Sequence, residues 1–161
     1  MKIIVDSREH WTHPNSTDTH ISAWFDRHGI VYEVRKLDVG DYILDDNTEL
    51  SVDRKASLQE LSQNLFARND KARFWREVRR AKEQHIRLIV LIEDAKCKTI
   101  QDVANWKPKY GKVSGRSLMA EMYRLHISYG VEFLFTTKRS CAKRIVEILM
   151  DNQSGTNTLM R

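Results

Sequence analysis

An acid and a lysine stand two residues apart in the segment "GDYILDDNTELSVDRKASLQEL", which covers residues 40–61. The apolar and polar pattern of this segment predicts two strands, and Asp53 and Lys55 both fall in the second strand. Residues two apart on a strand point to the same face, so the two side chains would lie side by side. Such a pair is either a surface ion pair or part of a reactive site.

Three further carboxylates, Asp6, Glu9 and Asp41, fall at the ends or bends of predicted strands. Strand ends and loops at one edge of an α/β sheet are where binding sites form. Gly40 would allow a close backbone approach or an unusual φ just before Asp41. Converging carboxylates repel each other, and a hard divalent cation bound by their oxygens would offset that repulsion. Such cations promote phosphoryl chemistry. Among these acids, Lys55 is expected to stay protonated, which makes it a poor general base.

The elements that would position these residues follow from the hydrophobic pattern, which alternates strands and helices at both ends of the chain around a central hairpin. We predict strands over 2–8, 31–37, 41–46, 49–55, 86–94 and 131–137, and helices over 20–29, 57–66, 69–85, 117–130 and 138–151. Ser57 with Glu60 predicts a capping box at the start of the second helix. This order indicates one α/β domain over residues 1–150, with a mixed sheet flanked by helices, and a flexible tail over 151–161.

The composition is that of an ordinary globular protein, with 41% hydrophobic and 30% charged residues among 161. No apolar run approaches the roughly 20 residues of a membrane span. The N-terminus does not resemble a secretory signal, so we expect an intracellular protein, cytoplasmic if it comes from a prokaryote or phage. Cys97 and Cys141 are far apart and are expected to be reduced.

A net charge of +5 makes the chain modestly basic, and the basic residues concentrate in two places. The helix predicted over 69–85 carries six Lys and Arg residues, and the connection over 97–116 carries Lys107, Lys109, Lys112 and Arg116. Trp106 and Tyr110 lie among these lysines, a mixture suited to phosphate contact with base stacking. The alternative for both segments is a solvated face, with the aromatic side chains anchoring the connection on the core.

Four motifs in order resemble the nuclease domain of the XPF-type structure-specific endonucleases, a family of the PD-(D/E)XK superfamily. "VDSRE" at 5–9 is similar to the family's VDxRE, and "VGDY" at 39–42 to its GDY. "VDRKASLQEL" at 52–61 resembles VERKxxxDL, and "RLIVLIED" at 87–94 resembles the core strand that ends in an acid. The resemblance extends over most of the chain and implies a restriction-endonuclease-like fold.

The resemblance implies a role for each matching residue. Asp41 and Asp53 would bind Mg²⁺ or Mn²⁺ with Asp6 as a partner, and Lys55 would position the nucleophilic water. Arg8, Glu9 and Arg54 would support the site or contact the phosphate, with Glu9 counted in the catalytic group. We expect further substrate contacts from exposed basic residues: Arg68, Lys107, Lys109, Lys112 and Arg116.

Two positions depart from the family pattern. Asp53 replaces the glutamate of ERK, which keeps a carboxylate but shortens it by one methylene. The acid expected four residues after the motif lysine falls on Gln59, and Glu60 would lie about 100° further round a helix.

The function implied by the resemblance is a metal-dependent DNA endonuclease that hydrolyses phosphodiester bonds in branched, flap or nicked DNA during repair or recombination. The family also contains catalytically silent DNA-binding partners, and a protein-interaction module with an incidental basic face is a third alternative. Retention of four residues favours the enzyme: Asp6, Asp41, Asp53 and Lys55. The helix-hairpin-helix domain that often accompanies the family is not found in this sequence, so this domain or a partner would grip DNA.

Pairing through this domain, as a homodimer or heterodimer, is also implied by the family. Apolar residues on the last two predicted helices could form the core or such an interface, and their helical stripes favour the core: Met122, Leu125, Ile145 and Leu149.

Overall fold

The structure, a computed structural model, describes residues 1–151 and contains one mixed six-stranded sheet. The strands are β1 (Lys2–Asp6), β2 (Val31–Arg35), β3 (Tyr42–Leu44), β4 (Asn47–Lys55), β5 (Arg87–Glu93) and β6 (Glu132–Thr136). Their order across the sheet is β2-β1-β3-β4-β5-β6. β3 runs antiparallel to β1 and β4, while β1–β2, β4–β5 and β5–β6 are parallel pairs. The predicted mixed sheet with a central hairpin is confirmed.

Within residues 1–151, five α-helices cover the two faces of this sheet. They are α1 (His20–Arg27), α2 (Leu58–Phe66), α3 (Arg68–Glu83), α4 (Gly115–Tyr129) and α5 (Cys141–Met150). Helices α2, α3 and α4 share one apolar cluster with one face of β5, and α1 and α5 share a second cluster with the other face. The two layers of helices account for the near-continuous burial of β5, as expected for a strand covered on both sides.

The connection before α4 is more ordered than the sequence pattern indicates. Residues Ile100–Asn105 form a 3-10 helix, and α4 begins at Gly115, two residues before the predicted start. Thr99 and Asp102 close a reciprocal capping box at the first turn of this 3-10 helix, which satisfies its free backbone N–H groups.

The register of β4 against β5 decides which face each motif residue occupies. Asp53 pairs with Val90 and Lys55 with Ile92. Val90 and Ile92 belong to the cluster formed with α2, α3 and α4, so Asp53 and Lys55 point toward those helices. Arg54, between them, points to the opposite face, as the alternation of a strand requires.

The apolar residues that were candidates for an interface lie in the core. Each has a fully or almost fully buried side chain: Met122, Leu125, Ile145 and Leu149. The sequence prediction that they belong to the core is confirmed.

Both cysteines are free and buried. No helix within residues 1–151 is long and apolar enough to cross a bilayer. The predicted tail over 151–161 lies outside the described residues except for Asp151, which caps α5.

Candidate active site

A recess opens where β4 ends, beneath α2 and α3, and all seven motif residues named from the sequence line it: Asp6, Arg8, Glu9, Asp41, Asp53, Arg54 and Lys55. They come from β1 and the turn after it, from the start of β3 and from the end of β4. The antiparallel β3 between β1 and β4 brings these ends to one edge of the sheet.

Asp53 and Lys55 form a buried pair at the base of the recess. The Lys55 Nζ atom lies 3.1 Å from Asp53 Oδ1 and 5.2 Å from the centre of the Phe74 ring. Asp53 Oδ2 is buried and has no hydrogen-bond partner among the described residues. Burial lowers the pKa of Lys55, but the carboxylates of Asp53 and Asp41 outweigh that effect and raise it above its usual range. Lys55 is therefore a cation, as the sequence predicts.

Asp41 is held beside this pair by backbone hydrogen bonds on both sides. Its N–H donates to the carbonyl of Val52 at 2.8 Å, and its carbonyl accepts the N–H of Asp6 at 2.7 Å. Its side-chain Oδ2 accepts the N–H of Arg54 at 2.8 Å. Burial, Asp53 and Glu9 together raise the pKa of Asp41 well above its usual range. The two aspartates thus repel each other, and either a proton or a cation stabilises them together.

Gly40 is required by the geometry just before Asp41. Its φ is +70°, and a Cβ at this position would lie 2.0 Å from Ser51 Oγ. A side chain here would therefore be strained by both the backbone angle and the contact. The Gly40 N–H donates to Glu77 Oε1 of α3. The predicted close approach at this glycine is thus present, and it joins the start of β3 to α3.

Glu77 is a recess residue that sequence reasoning missed. Burial first, and the Asp53 carboxylate second, raise its pKa to about 7. The only signal in the sequence is an acid three residues after Phe74 and beside Val78, at the margin of the apolar stripe of α3. That spacing does not show that the first turns of α3 lie above β4.

Glu60, rather than Gln59, faces the recess from α2. Gln59 turns away and contacts the connection before α4, donating to the Tyr110 carbonyl at 3.2 Å and accepting the Lys109 N–H at 2.9 Å. Ser57 caps the helix by accepting the Glu60 N–H at 3.0 Å. Glu60 Oε2 accepts the N–H of Ala56 at 2.7 Å, one residue before the cap. An acid from α2 is therefore present at the recess, although the motif spacing assigns the position to Gln59.

Asp6 lines the recess, but both of its carboxylate oxygens already accept hydrogen bonds. Oδ2 accepts from Arg8 Nε and Oδ1 from the Leu37 N–H, each at 2.8 Å. Arg8 also donates from Nη2 to the Leu37 carbonyl at 2.8 Å. Asp6 thus fixes Arg8 and the segment after β2, an arrangement that suits a positioning residue better than the metal ligand predicted from the sequence.

Arg54 is a buried structural centre on the opposite face of the sheet. Its side chain is 2% exposed and donates to three carboxylates: Glu9 at 2.8 and 3.2 Å, Glu93 at 2.9 Å and Asp18 at 3.0 Å. Glu9 also accepts the Tyr42 hydroxyl. The sequence-based alternative that Glu9 and Arg54 support the site fits this network, whereas a substrate contact by Arg54 does not fit its burial.

The further basic contacts predicted beyond the motif residues lie outside the recess. Five of them are exposed: Arg68, Lys107, Lys109, Lys112 and Arg116. Tyr110 holds the connection against α2, because its hydroxyl accepts from Gln63 Nε2 at 2.7 Å, and its ring remains 58% exposed. Trp106 packs on the core beneath α4, which fits the alternative that it anchors the connection. The lysines thus flank α2, which carries Glu60 into the recess.

Within residues 1–151, no group of three or more His, Cys, Asp or Glu side chains is arranged to hold a metal ion. The donor set nevertheless suits Mg²⁺, which commonly uses one or two carboxylates and retains several waters. Asp53 offers a buried oxygen without a partner among residues 1–151, and Asp41 lies beside it with a pKa raised by burial and then by the Asp53 carboxylate. These two aspartates therefore fit a hard divalent cation.

A family model described as the ERCC4 domain matches residues 5–149, a range that includes every motif residue of the recess. This chain belongs to the ERCC4 domain family. Among curated proteins, no sequence matches this ERCC4 domain.

Two solved structures are similar to this ERCC4 domain along most of its length. One is XPF from Aeropyrum pernix, with a TM-score of 0.68 and 20% identity, covering 96% of this chain and 66% of that one. The other is XPF from Aeropyrum pernix in complex with DNA, with a TM-score of 0.64 and 22% identity, covering 92% and 63%. This chain therefore spans slightly less than two thirds of those chains and shares their fold. The predicted resemblance to the XPF-type nuclease domain is confirmed.

Proposed function

We propose that this ERCC4 domain is a Mg²⁺- or Mn²⁺-dependent DNA endonuclease that hydrolyses phosphodiester bonds. One observation carries the proposal. Asp53 Oδ2, a buried oxygen with no hydrogen-bond partner among residues 1–151, lies next to the Lys55 ammonium and Asp41 at the base of an open recess. A fold stabilised only by packing has no need for such an oxygen, because a buried unsatisfied acceptor is costly.

Asp41 and Asp53 would hold the metal ion, and the bound metal would lower the pKa of a water and stabilise charge on the phosphate. Asp6 would lie beside these two ligands and would position Arg8, because both of its carboxylate oxygens already accept hydrogen bonds and neither is free to bind the metal. Glu60 and Glu77 add carboxylates to the wall of the recess.

Lys55 would act on the substrate directly. Its ammonium is fixed by Asp53 and cannot serve as a base, so it would donate hydrogen bonds to the attacking water and to a phosphate oxygen. Arg54 and Glu9, locked together on the opposite face, keep β4 and the turn after β1 in position beneath the reacting groups.

The DNA would approach across the exposed cations around the recess. Arg8 is the nearest of these, since it lines the recess with a side chain that is 55% exposed. Lys107, Lys109, Lys112 and Arg116 would contact backbone phosphates beyond α2, and Arg68 those at the start of α3. The structure of the Aeropyrum pernix XPF in complex with DNA supports DNA as the partner class. We propose branched, flap or nicked DNA as the substrate, in repair or recombination.

A catalytically silent DNA-binding partner is the second candidate. The absence of a group of three metal-ligand side chains within residues 1–151 favours it. Such a protein would bind the same DNA without cleaving it, and Mg²⁺ would not stabilise its fold through the recess.

Two further statements extend the proposal. We propose that the domain pairs with a second copy or with a related chain, which sedimentation at micromolar concentration would test. A strict monomer that still cuts DNA would exclude obligate pairing. We also propose an intracellular location, cytoplasmic in a prokaryote or phage.

The decisive assay is incubation of the purified protein with end-labelled duplex, nicked, flap and four-way junction DNAs, in Mg²⁺ and in EDTA. We expect cleavage in Mg²⁺ and none in EDTA, and we expect the nicked, flap and junction DNAs to be cut faster than intact duplex. Lys55→Ala should retain stabilisation by Mg²⁺ in a thermal melt but lose cleavage. DNA binding by the wild type without any cleavage in Mg²⁺ would favour the silent partner.

A further inference from the structure

A second recess adjoins the one described above and shares part of its wall. Arg8, Arg73 and Glu77 line both recesses. The second recess is also lined by residues 36–38 and by two further arginines of α3, Arg76 and Arg80. Arg73 lies three residues before Arg76 and four before Glu77, and Arg80 lies four residues after Arg76 and three after Glu77, so the four side chains share one side of α3. The second recess is therefore a continuation of the first, away from α2.

The floor of this second recess is fixed by hydrogen bonds from both sides. It consists of the segment directly after β2. Arg8 Nη2 donates to the Leu37 carbonyl at 2.8 Å, and Arg80 Nη1 donates to the Asp38 carbonyl at 2.6 Å. The Leu37 N–H donates to Asp6 Oδ1 at 2.8 Å. The segment is thus held in place before any ligand binds.

Three cations of this recess form no ion pair within residues 1–151, and one of them, Arg80, is already engaged with the Asp38 carbonyl. Arg73 pairs with Asp70 at 3.1 Å, but neither Lys36 nor Arg76 forms an ion pair within 4.0 Å among residues 1–151. Both side chains are exposed.

The recess as a whole has an excess of positive charge. Five cations outnumber its two carboxylates, Asp38 and Glu77. Glu77 already accepts the Gly40 N–H. The arrangement favours an anion that can reach Lys36 and Arg76 together.

We propose that Lys36 and Arg76 bind a backbone phosphate of the cleaved DNA strand, next to the phosphate that reacts at Asp53 and Lys55. The proposal rests on the proposed function, because the shared wall of Arg8 and Arg73 connects the two positions. A continuous strand would place consecutive phosphates in the two recesses. Arg76 suits this role because a guanidinium can bind phosphate through two N–H groups at once.

The test compares the double variant Lys36→Gln/Arg76→Gln and the single variant Arg76→Gln with Arg79→Gln, which removes the same single charge from the same helix as Arg76→Gln. Arg79 is an exposed arginine of the same helix that donates to the Trp75 carbonyl and lies outside both recesses. DNA affinity is measured in EDTA over a range of salt concentrations, so that the result does not depend on catalysis. We expect the double variant to bind about tenfold more weakly, the typical effect of losing a charge-assisted hydrogen bond. Its log–log salt slope should flatten by about 0.9, which corresponds to one phosphate. The control should match the wild type.

A neutral methylphosphonate linkage, placed at one position at a time, identifies the phosphate. The wild type should lose affinity at a position adjacent to the cleavage site, and the double variant should lose nothing further there. Equal losses in both proteins at every position, or an equal effect of Arg79→Gln, would overturn the proposal. If the double variant shows the weaker binding, the flatter salt slope and the insensitivity to one methylphosphonate, but no DNA is cleaved, the endonuclease proposal fails and the phosphate site stands. If DNA is cleaved but the double variant binds DNA as the wild type does, only the proposed phosphate site is wrong.

Discussion

Glu77 provides a prediction whose size follows from the structure. Its ordinary pKa of 4.5 is raised to about 7 in the fold, mainly by burial and then by the Asp53 carboxylate. Between these two values the unfolded chain has released the proton that the native protein still holds. Stability therefore falls as pH rises from 4.5 to 7, because the unfolded state binds fewer protons. Glutamine has the same shape and an oxygen that can accept the Gly40 N–H, but it has no proton to lose.

The expected gain from Glu77→Gln is thus greatest above pH 7 and absent at pH 4.5. A shift of this size corresponds to about 3 kcal/mol at most. Because Glu77 is only half-buried, solvent screens part of this effect, and we expect about 1–2 kcal/mol. For a chain of this length that raises the melting temperature by roughly 2–8 °C.

The assay is thermal unfolding in EDTA from pH 4.5 to pH 8, for the wild type, Glu77→Gln and the control Glu83→Gln. Glu83 is an exposed glutamate at the end of the same helix. The melting temperature of Glu77→Gln should exceed that of the wild type by an amount that increases with pH, while the control should melt at the same temperature as the wild type. A Glu77→Gln protein that is less stable than the wild type at pH 8, or a gap independent of pH, would refute the reasoning.

Two further predictions concern α2 and the basic connection before α4. Gln59→Asp should change cleavage less than about threefold because Gln59 faces away from the recess, whereas Glu60→Gln should reduce cleavage about tenfold or more because it removes a recess carboxylate. A larger loss from Gln59→Asp than from Glu60→Gln would reverse this assignment. Neutralising Lys107, Lys109 and Lys112 together should flatten the salt dependence of DNA binding, by about 0.9 in slope for each phosphate that the connection no longer neutralises. An unchanged slope would remove the connection from the DNA interface.

Much of the fold could be predicted from the sequence because its signals are local. The alternation along β4 placed Asp53 and Lys55 on one face, and the near-continuous apolar run of β5 indicated a strand buried on both sides. The sequence predicts a close backbone approach or an unusual φ at Gly40, and the structure has both, a φ of +70° and no room for a Cβ beside Ser51. Each of these inferences needs only residues within one element or one turn.

The rest of the site depends on interactions between distant segments. Arg54 takes its partners from Glu9, Asp18 and Glu93, which lie 36 to 45 residues away, so its burial could not be seen in the motif. Glu77 reaches the recess only because α3 crosses above β4. Glu60 faces the recess instead of Gln59 because the Ser57 cap and the packing of α2 set the rotation of this helix about its axis. The spacing of the motif residues gives no information on that rotation.

The most direct test of the central claim is the rate of DNA cleavage in Mg²⁺ by rigorously purified Asp53→Asn, measured beside the wild type. The substitution keeps the shape of the side chain and removes the charge that would face the metal. We predict a loss of at least about a hundredfold, with DNA binding in EDTA unchanged or tighter because one repulsion of the phosphate is gone. Cleavage by Asp53→Asn at the wild-type rate would contradict the assignment of this recess as a metal-dependent nuclease site.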